Sequence, residues 1–311
     1  MLLRKYIFVL FYVVLTPAIG QDYERVDAAI ELYPKKFTSA EEMAEYISRD
    51  FTTEEDKVRA IYTWLIENVA YDPEEYKKFS YSFANYRERN EKEEKMRQKI
   101  IQRTLQKGVA VCEGYAMVFE RLCELMGISN YLVRGDTKTN FSDIGRAFNT
   151  NHMWNVAVID GEPHLFDPTW GAGRYTDKFI KEPTYFFYKT PPAHFFKSHY
   201  PDLYEDAFMD EDVDRMTFAN RPLVIAENLA FEDLESPKDG TIDTTSYFDE
   251  ILFSIRNAEP ETVTYSYGMG QQTVTTSRDG ELLKFGVPIE LGQQQLLIYF
   301  DGKPALGYKV K

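Results

Sequence analysis

The chain has 311 residues, of which 44% are hydrophobic and 28% charged. That is ordinary globular composition with room for more than one domain, and it excludes disorder, collagen and coiled coil as the main body. Its 36 basic against 50 acidic residues leave a net charge of -14, which argues against a nucleic-acid partner, because affinity there depends on Lys and Arg neutralising phosphates.

Met1 to Gly20 reads as a signal peptide. Arg4 and Lys5 form a basic start, Tyr6 to Leu15 is an apolar run, and Ala18 and Gly20 are small residues before a cleavage point at Gln21. The run is short against the ~20 residues of a spanning helix. Cleavage is therefore expected, with a periplasmic or secreted product that keeps no membrane attachment. No cysteine follows the signal, so no lipid anchor is expected. Removing Arg4 and Lys5 leaves 36 less 2 basic residues against 50 acidic, a mature charge of -16.

Short helices are expected around Ala28–Leu32 and Ser39–Ser48. Thr53 can cap a helix over Glu54–Val69, with Asp56 three residues on as a capping-box variant. In it Val58, Ile61, Tyr62, Leu65, Ile66 and Val69 recur at three and four and predict one buried face. Tyr86–Lys107 is dense in charge, with a narrow apolar stripe at Met96, Ile100, Ile101 and Leu105, and reads as a solvated helix packed on one edge that Gly108 stops. A further helix starts at Cys112, buries Met117, Val118, Phe119, Leu122, Leu125 and Met126, and ends at Gly127.

Tyr131–Arg134 reads as a short strand and Thr137–Asn151 as a polar loop. Met153–Ile159 and Pro163–Asp167 read as two strands around the hairpin dipeptide Asp160-Gly161. The aromatic residues of Tyr185–Tyr200 predict a packed mini-core rather than a carbohydrate platform. From about Arg221 the texture shifts to regular short strands, at Leu223–Ala226, Phe248–Arg256, Thr262–Tyr267, Gln272–Thr276, Glu281–Phe285, Gln295–Phe300 and Ala305–Val310, which imply a β-sandwich.

An oxidising compartment would favour pairing Cys112 with Cys123. Eleven residues of helix place them roughly 16 Å apart, beyond the ~7 Å that a disulfide spans between Cα atoms. Two free thiols are therefore expected. Cys112 opens its helix, where the dipole and free N–H groups favour an anion, and Gly114 allows a close chain approach. Cys123 lies three turns further on and reads as a buried small hydrophobe.

A nucleophilic cysteine needs a base and a group to orient that base. The histidines are His152, His164, His194 and His199. If Asp160-Gly161 is a two-residue turn, Ile159 pairs with Glu162 and Asp167 falls opposite Trp154. His152 and Asp167 are then diagonal neighbours on one face. His164 falls on the other face and reads as structural, as do His194 and His199. No zinc spacing is present, and Asp210–Asp214 lacks the glycine of a calcium loop. No metal or cofactor is expected.

The segments Gly108-Val-Ala-Val-Cys112-Glu-Gly-Tyr-Ala, His152-Met-Trp-Asn and Phe166-Asp167-Pro-Thr-Trp-Gly-Ala-Gly173 resemble the transglutaminase-like superfamily of papain-type cysteine enzymes. The upstream AIYTWLIENVAYD is similar as well. The Asp-Pro-Thr-Trp-Gly-Ala-Gly run and Tyr185-Phe-Phe…Ser198-His-Tyr-Pro are similar to the kyphoscoliosis-peptidase branch. The resemblance covers about residues 40 to 215. Behind the signal peptide read over 1–20, it implies an α+β fold: a papain/transglutaminase-like catalytic domain over 21–220 and, by architecture only, an all-β immunoglobulin-like sandwich over 221–311.

It also implies roles. Cys112 is the nucleophile, His152 the general base and then acid, and Asp167 the orienter through the His152 Nδ1–H. The Cys112 amide and Tyr71 would hold the oxyanion, and Trp154 and Trp170 would wall the acyl cleft. The implied activity is hydrolysis of protein or peptide amide bonds through an acyl-thioester. The alternatives are protein crosslinking by acyl transfer to amines, and a non-catalytic binding or assembly module.

Overall fold

A computed structural model describes residues 22–78, 86–225 and 233–311. The signal-like segment Met1–Gly20 lies outside the described residues. Helices α1 (Tyr23–Glu31), α2 (Ala40–Asp50) and α3 (Glu54–Asn68) come first. Each begins where a side chain accepts an otherwise free N–H: Asp22 from Arg25, Ser39 from Glu42, and Thr53 from Asp56. The expected face of α3 is buried, but so is a second one. Arg59 and Thr63 are buried there because Asp27 of α1 binds both, at 2.6 Å and 2.7 Å. A polar clamp thus lets α1 seal a side of α3 that hydrophobic periodicity alone leaves open.

Strand β1 (Ala70–Tyr71), helix α4 (Tyr86–Lys107), strand β2 (Val109–Ala110) and helix α5 (Cys112–Leu125) follow. β1 and β2 pair in parallel, with Tyr71 opposite Ala110. Gly108 ends α4 and Gly127 follows α5, with φ of +69° and +74°. These are left-handed positions that suit glycine. Thr104 and Leu105 of α4 are buried, and a Cβ on Gly114 would lie 2.6 Å from the Thr104 hydroxyl. The missing side chain at Gly114 therefore lets α4 and β2 close on the start of α5.

Next come β3 (Asn130–Thr137), β4 (His152–Ile159), β5 (Glu162–Phe166), α6 (Pro168–Gly171), β6 (Gly173–Tyr175), β7 (Phe179–Lys181), β8 (Tyr188–Thr190), α7 (Pro192–Phe195) and β9 (His199–Pro201). An antiparallel sheet runs β8-β5-β4-β3-β9. Asp160 and Gly161 both have positive φ, +53° and +88°, as a two-residue type I′ turn requires. Ile159 pairs with Glu162 and Asn155 with Phe166, which is the expected register. α5 packs on the sheet through Phe119, whose ring lies 5.2 Å from that of Phe166. The Asn155 amide also donates to the Ala116 carbonyl at 3.0 Å.

After α8 (Arg215–Asn220) the described residues are mainly strands, with one short 3-10 turn at Thr244–Ser246: β10 (Leu223–Val224), β11 (Asp233–Ser236), β12 (Thr241–Ile242), β13 (Glu250–Arg256), β14 (Val263–Ser266), β15 (Gln272–Thr273), β16 (Thr276–Asp279), β17 (Leu282–Pro288), β18 (Gln295–Phe300) and β19 (Lys303–Val310). One sheet runs β10-β19-β18-β14-β15, with β12 parallel to β19, and another runs β11-β13-β17-β16. Side chains of both share one apolar cluster, in which the rings of Phe253 and Phe285 stack at 4.8 Å. β11 and β12 were not anticipated. The stretch expected as one strand over Gln272–Thr276 divides, since β15 pairs with β14 and β16 with β17.

Lys138, buried just past β3, donates to the carbonyls of Phe218 and Arg221 at 2.8 Å and of Pro222 at 3.3 Å. It closes the C-terminal end of α8, where carbonyls lack helical partners. Lys138→Met should take this donor from the Arg221 and Pro222 carbonyls, while Phe218 keeps the Arg221 N–H at 3.2 Å, and destabilise the protein by roughly 1–3 kcal/mol. A lower urea midpoint would show this, and an unchanged midpoint would mean that water replaces the ammonium.

Candidate active site

Asp167 follows β5 and caps α6. Its Oδ1 accepts the backbone N–H groups of Thr169 at 2.8 Å and Trp170 at 3.1 Å. Pro168 stands at the first helical position, where no N–H is needed. The other oxygen, Oδ2, lies 2.7 Å from His152 Nε2 and 3.0 Å from His199 Nε2. Asp167 has no solvent exposure. A carboxylate accepts at about four lone-pair sites, and here all four are used.

Burial pushes the Asp167 carboxyl up, but the two imidazoles outweigh it and hold the group well below the usual carboxylate range. Asp167 is therefore an acceptor only, and each histidine presents Nε2–H to it. For His152, burial opposes the charged form. The Asp167 charge and hydrogen bond overcome that, with smaller contributions from the nearby Cys112 thiol, and raise the pKa to about 10. For His199, burial prevails over Asp167 and lowers the pKa to about 4.

Two expectations are corrected here. Asp167 faces Nε2 of His152, not Nδ1, so Nδ1 is the nitrogen left for another partner. His199 is not a packing residue remote from the chemistry, because β9 pairs with β3, with His199 opposite Thr137, and this brings its ring to Asp167. Fifteen residues separate His152 from Asp167 through a hairpin whose turn is visible in the sequence. Thirty-two separate His199 from Asp167, and no local pattern predicts that approach. The only sequence signal was the Ser198-His-Tyr-Pro segment itself.

Cys112 stands at the first position of α5, after Val111, and packs with Ala116 against Met153. Its thiol donates to Glu113 Oε2 at 3.2 Å and lies 3.4 Å from the Tyr76 hydroxyl. Tyr76 was not singled out from sequence. Tyr71 is half-buried near Cys112, with its ring 5.9 Å from Tyr175, and burial raises its phenol pKa. A cleft of about 660 Å³ opens between α4 and the start of α5, with Tyr76, Arg97, Arg103, Val111, Glu113 and Met117 in its lining, while Cys112 itself is buried, at 3% exposure.

Trp154 was expected to wall the acyl cleft, but it is 1% exposed, with its ring among His199, Phe195 and His152. It packs beneath the site, because the face of β4 that carries it is covered by β9 and α7. Trp170 is half-buried, 4.5 Å from the His199 ring and 6.0 Å from the His152 ring. His164 pairs with Ala157 on the opposite face of the hairpin, and His194 is half-buried on α7. Both cysteines are free.

Among the described residues, His152, Asp167 and His199 place possible metal ligands within 4.8 Å of one another. A shared zinc would sit about 2.0–2.2 Å from each donor. Instead both imidazoles aim at the same carboxylate oxygen at hydrogen-bond distance, an arrangement that suits protons.

Two predictions follow from this geometry. Iodoacetamide should modify Cys112 before Cys123: both are buried, but Cys112 keeps 3% exposure and opens its helix, whereas Cys123 has none and burial pushes its thiol up. Equal rates, read by mass mapping, would contradict the assignment. The second concerns stability. The folded pKa of His152 lies above its unfolded 6.5, so its contribution is fully present below pH 6.5 and is lost as pH rises through about 10. The folded pKa of His199 lies below 6.5, so its contribution fades as pH falls from 6.5 toward 4. The wild-type advantage in denaturation midpoint over His152→Phe should therefore shrink steadily from about pH 6 to about pH 10.

Comparison with known proteins adds to this picture. Residues 41–165 match the family model described as the transglutaminase-like superfamily. The matched span contains Cys112 and His152 and stops just short of Asp167. The kyphoscoliosis peptidases of Homo sapiens and Mus musculus are each 30% identical to this chain, over 190 and 189 residues. Those alignments cover 58% of this chain and 26% of each relative, so the chain spans about a quarter of the length of these curated relatives. A crystal structure described as that of a TGase aligns over 57% of this chain and 40% of its own, at 17% identity with a TM-score of 0.30, which is too low to carry weight. What the comparisons show for this chain is a transglutaminase-like domain over residues 41–165.

Proposed function

We propose that this protein is an exported cysteine enzyme that cleaves amide bonds of proteins or peptides. The observation that carries this reading is the buried His152–Asp167 pair at 2.7 Å, with the buried Cys112 that opens α5 beside His152. In this reading His152 takes the Cys112 proton at Nδ1 while Asp167 steadies the imidazolium through Nε2–H. The sulfur attacks the acyl carbon, and its negative oxygen is held by the Cys112 N–H and a tyrosine hydroxyl. Tyr76 joins Tyr71 as a candidate donor, since it already touches the sulfur. His152 returns the proton to the leaving amine, and an acyl-thioester remains. His152 then activates water, which releases the acid and restores the thiol. An amine in place of water would give crosslinking.

The same proposal divides the chain into a signal at 1–20, a catalytic domain at 21–220 and an immunoglobulin-like sandwich at 221–311. The separate apolar cluster of the strand-rich half supports that division. The substrate reading draws on the kyphoscoliosis peptidases, which are peptidases by name.

Asp167→Asn keeps the shape but disturbs the hydrogen-bond pattern that fixes the His152 tautomer. It should lower turnover roughly 10²–10⁴-fold, by analogy with other triads. His152→Ala should cost at least as much, and the double change should be far from additive. His164→Ala should affect stability more than rate. The assay is hydrolysis of a generic protein, run beside ammonia release with an added amine to separate hydrolysis from transfer. Full turnover in a folded Asp167→Asn protein would defeat the proposal.

A further inference from the structure

We infer that His199 is a positioning residue, which holds Asp167 in the orientation and ionised form that His152 depends on. The inference rests on the cysteine-enzyme reading and extends it from three residues to a buried chain of Ser198, His199, Asp167 and His152. Ser198 Oγ lies 2.8 Å from His199 Nδ1. Because Nε2 carries the proton given to Asp167, the neutral ring can only accept at Nδ1, and Ser198 O–H donates there. Ser198 thus supports the tautomer that offers Nε2–H to the carboxylate, while the Phe195 carbonyl also accepts from the ring side.

The ring cannot turn away. Its centroid is 4.1 Å from that of Phe195, 4.5 Å from Trp170, 5.3 Å from Trp154 and 5.9 Å from Phe187. Its side chain has no exposure. Both imidazoles share Asp167 Oδ2, and their centroids lie 5.6 Å apart. Two cations on one buried carboxylate would repel each other at low dielectric. Burial keeps His199 neutral, so His152 is the ring that takes the proton. His199 thus satisfies the carboxylate without competing for its charge. Without it, one lone pair of a fully buried carboxylate has no donor, and the group protonates more readily.

The competing explanation is that His199 merely fills an aromatic box. His199→Phe preserves ring size and removes the donor. His199→Gln restores an N–H of similar reach. Ser198→Ala removes that support and leaves the box intact. His194→Ala is the control, and it should behave as wild type. The readout is the pH dependence of Cys112 alkylation by iodoacetamide in the full chain, which needs no known substrate. In His199→Phe the rate near neutral pH should fall roughly tenfold to a hundredfold, and the acidic limb should move to higher pH. His199→Gln should recover most of the loss, and Ser198→Ala should shift the limb in the same direction by less. A folded His199→Phe with the wild-type rate and limb would overturn the inference. If His199→Phe does not fold, an unshifted limb in Ser198→Ala overturns it instead. If wild-type Cys112 proves no more reactive than Cys123, the enzyme reading fails separately. The His152 titration followed by ¹⁵N-histidine NMR then decides the role of His199, and an unchanged titration in the variants rejects it.

Discussion

The site depends on one buried negative charge. Removing a carboxylate from water is costly unless donors replace the lost hydration. Asp167 meets that demand with two backbone N–H groups from α6 and two imidazoles. Those donors come from three places in the chain: the turn after β5, the start of β4, and β9. The hairpin, the short helix and the returning edge strand are therefore held in register by the same atom pair. The Asp167-Pro-Thr-Trp order suits this role. Proline opens α6 without needing an N–H partner, and the next two residues deliver theirs to the carboxylate.

Cys112 is positioned by a different set of contacts. α5 lies on the sheet through Phe119 and the Asn155 amide, while Gly114 lets α4 and β2 press against its first turn. Ion pairs add to this packing, between Arg97 of α4 and Glu120 at 2.6 Å and between Arg121 and Glu41 of α2 at 2.9 Å. Together they hold the buried thiol against Tyr76 and Glu113, which line the cleft. Cys123, on the same helix, has the opposite surroundings. It is sealed in the main apolar cluster, and burial disfavours its thiolate. Position along one helix thus separates two chemically identical side chains.

Local physics made much of this legible in the sequence. The Asp160-Gly161 turn fixes hairpin register, and register alone puts His152 beside Asp167 and His164 on the other face. The cap at Thr53 and the stop at Gly127 also follow from short-range rules, whereas Ser39, read as the first helical residue, proves to be a cap. What was not legible came from contacts between distant segments. His199 reaches Asp167 only because β9 returns to the edge of β3. Arg59 and Thr63 are buried only because Asp27 answers them from α1. Trp154 looked like a cleft residue by its place beside His152, but α7 and β9 cover that face. In the strand-rich half, alternation identified β13 and β17, whose inner side chains fill the core. It missed β11 and β12, which are short and pair at sheet margins.

The ring orientation of His152 links the two halves of the site. Nδ1 lies closer to the backbone than Nε2 does. With Nε2 committed to Asp167, any partner of the remaining nitrogen must approach the first residues of β4. Cys112, at the first position of α5, packs on Met153, the residue next to His152. The close seating of α5 against the beginning of β4 is therefore the geometric counterpart of the Asp167–Nε2 hydrogen bond. The glycine at 114 matters for the same reason, because it lets the neighbouring elements close over that first turn without displacing it.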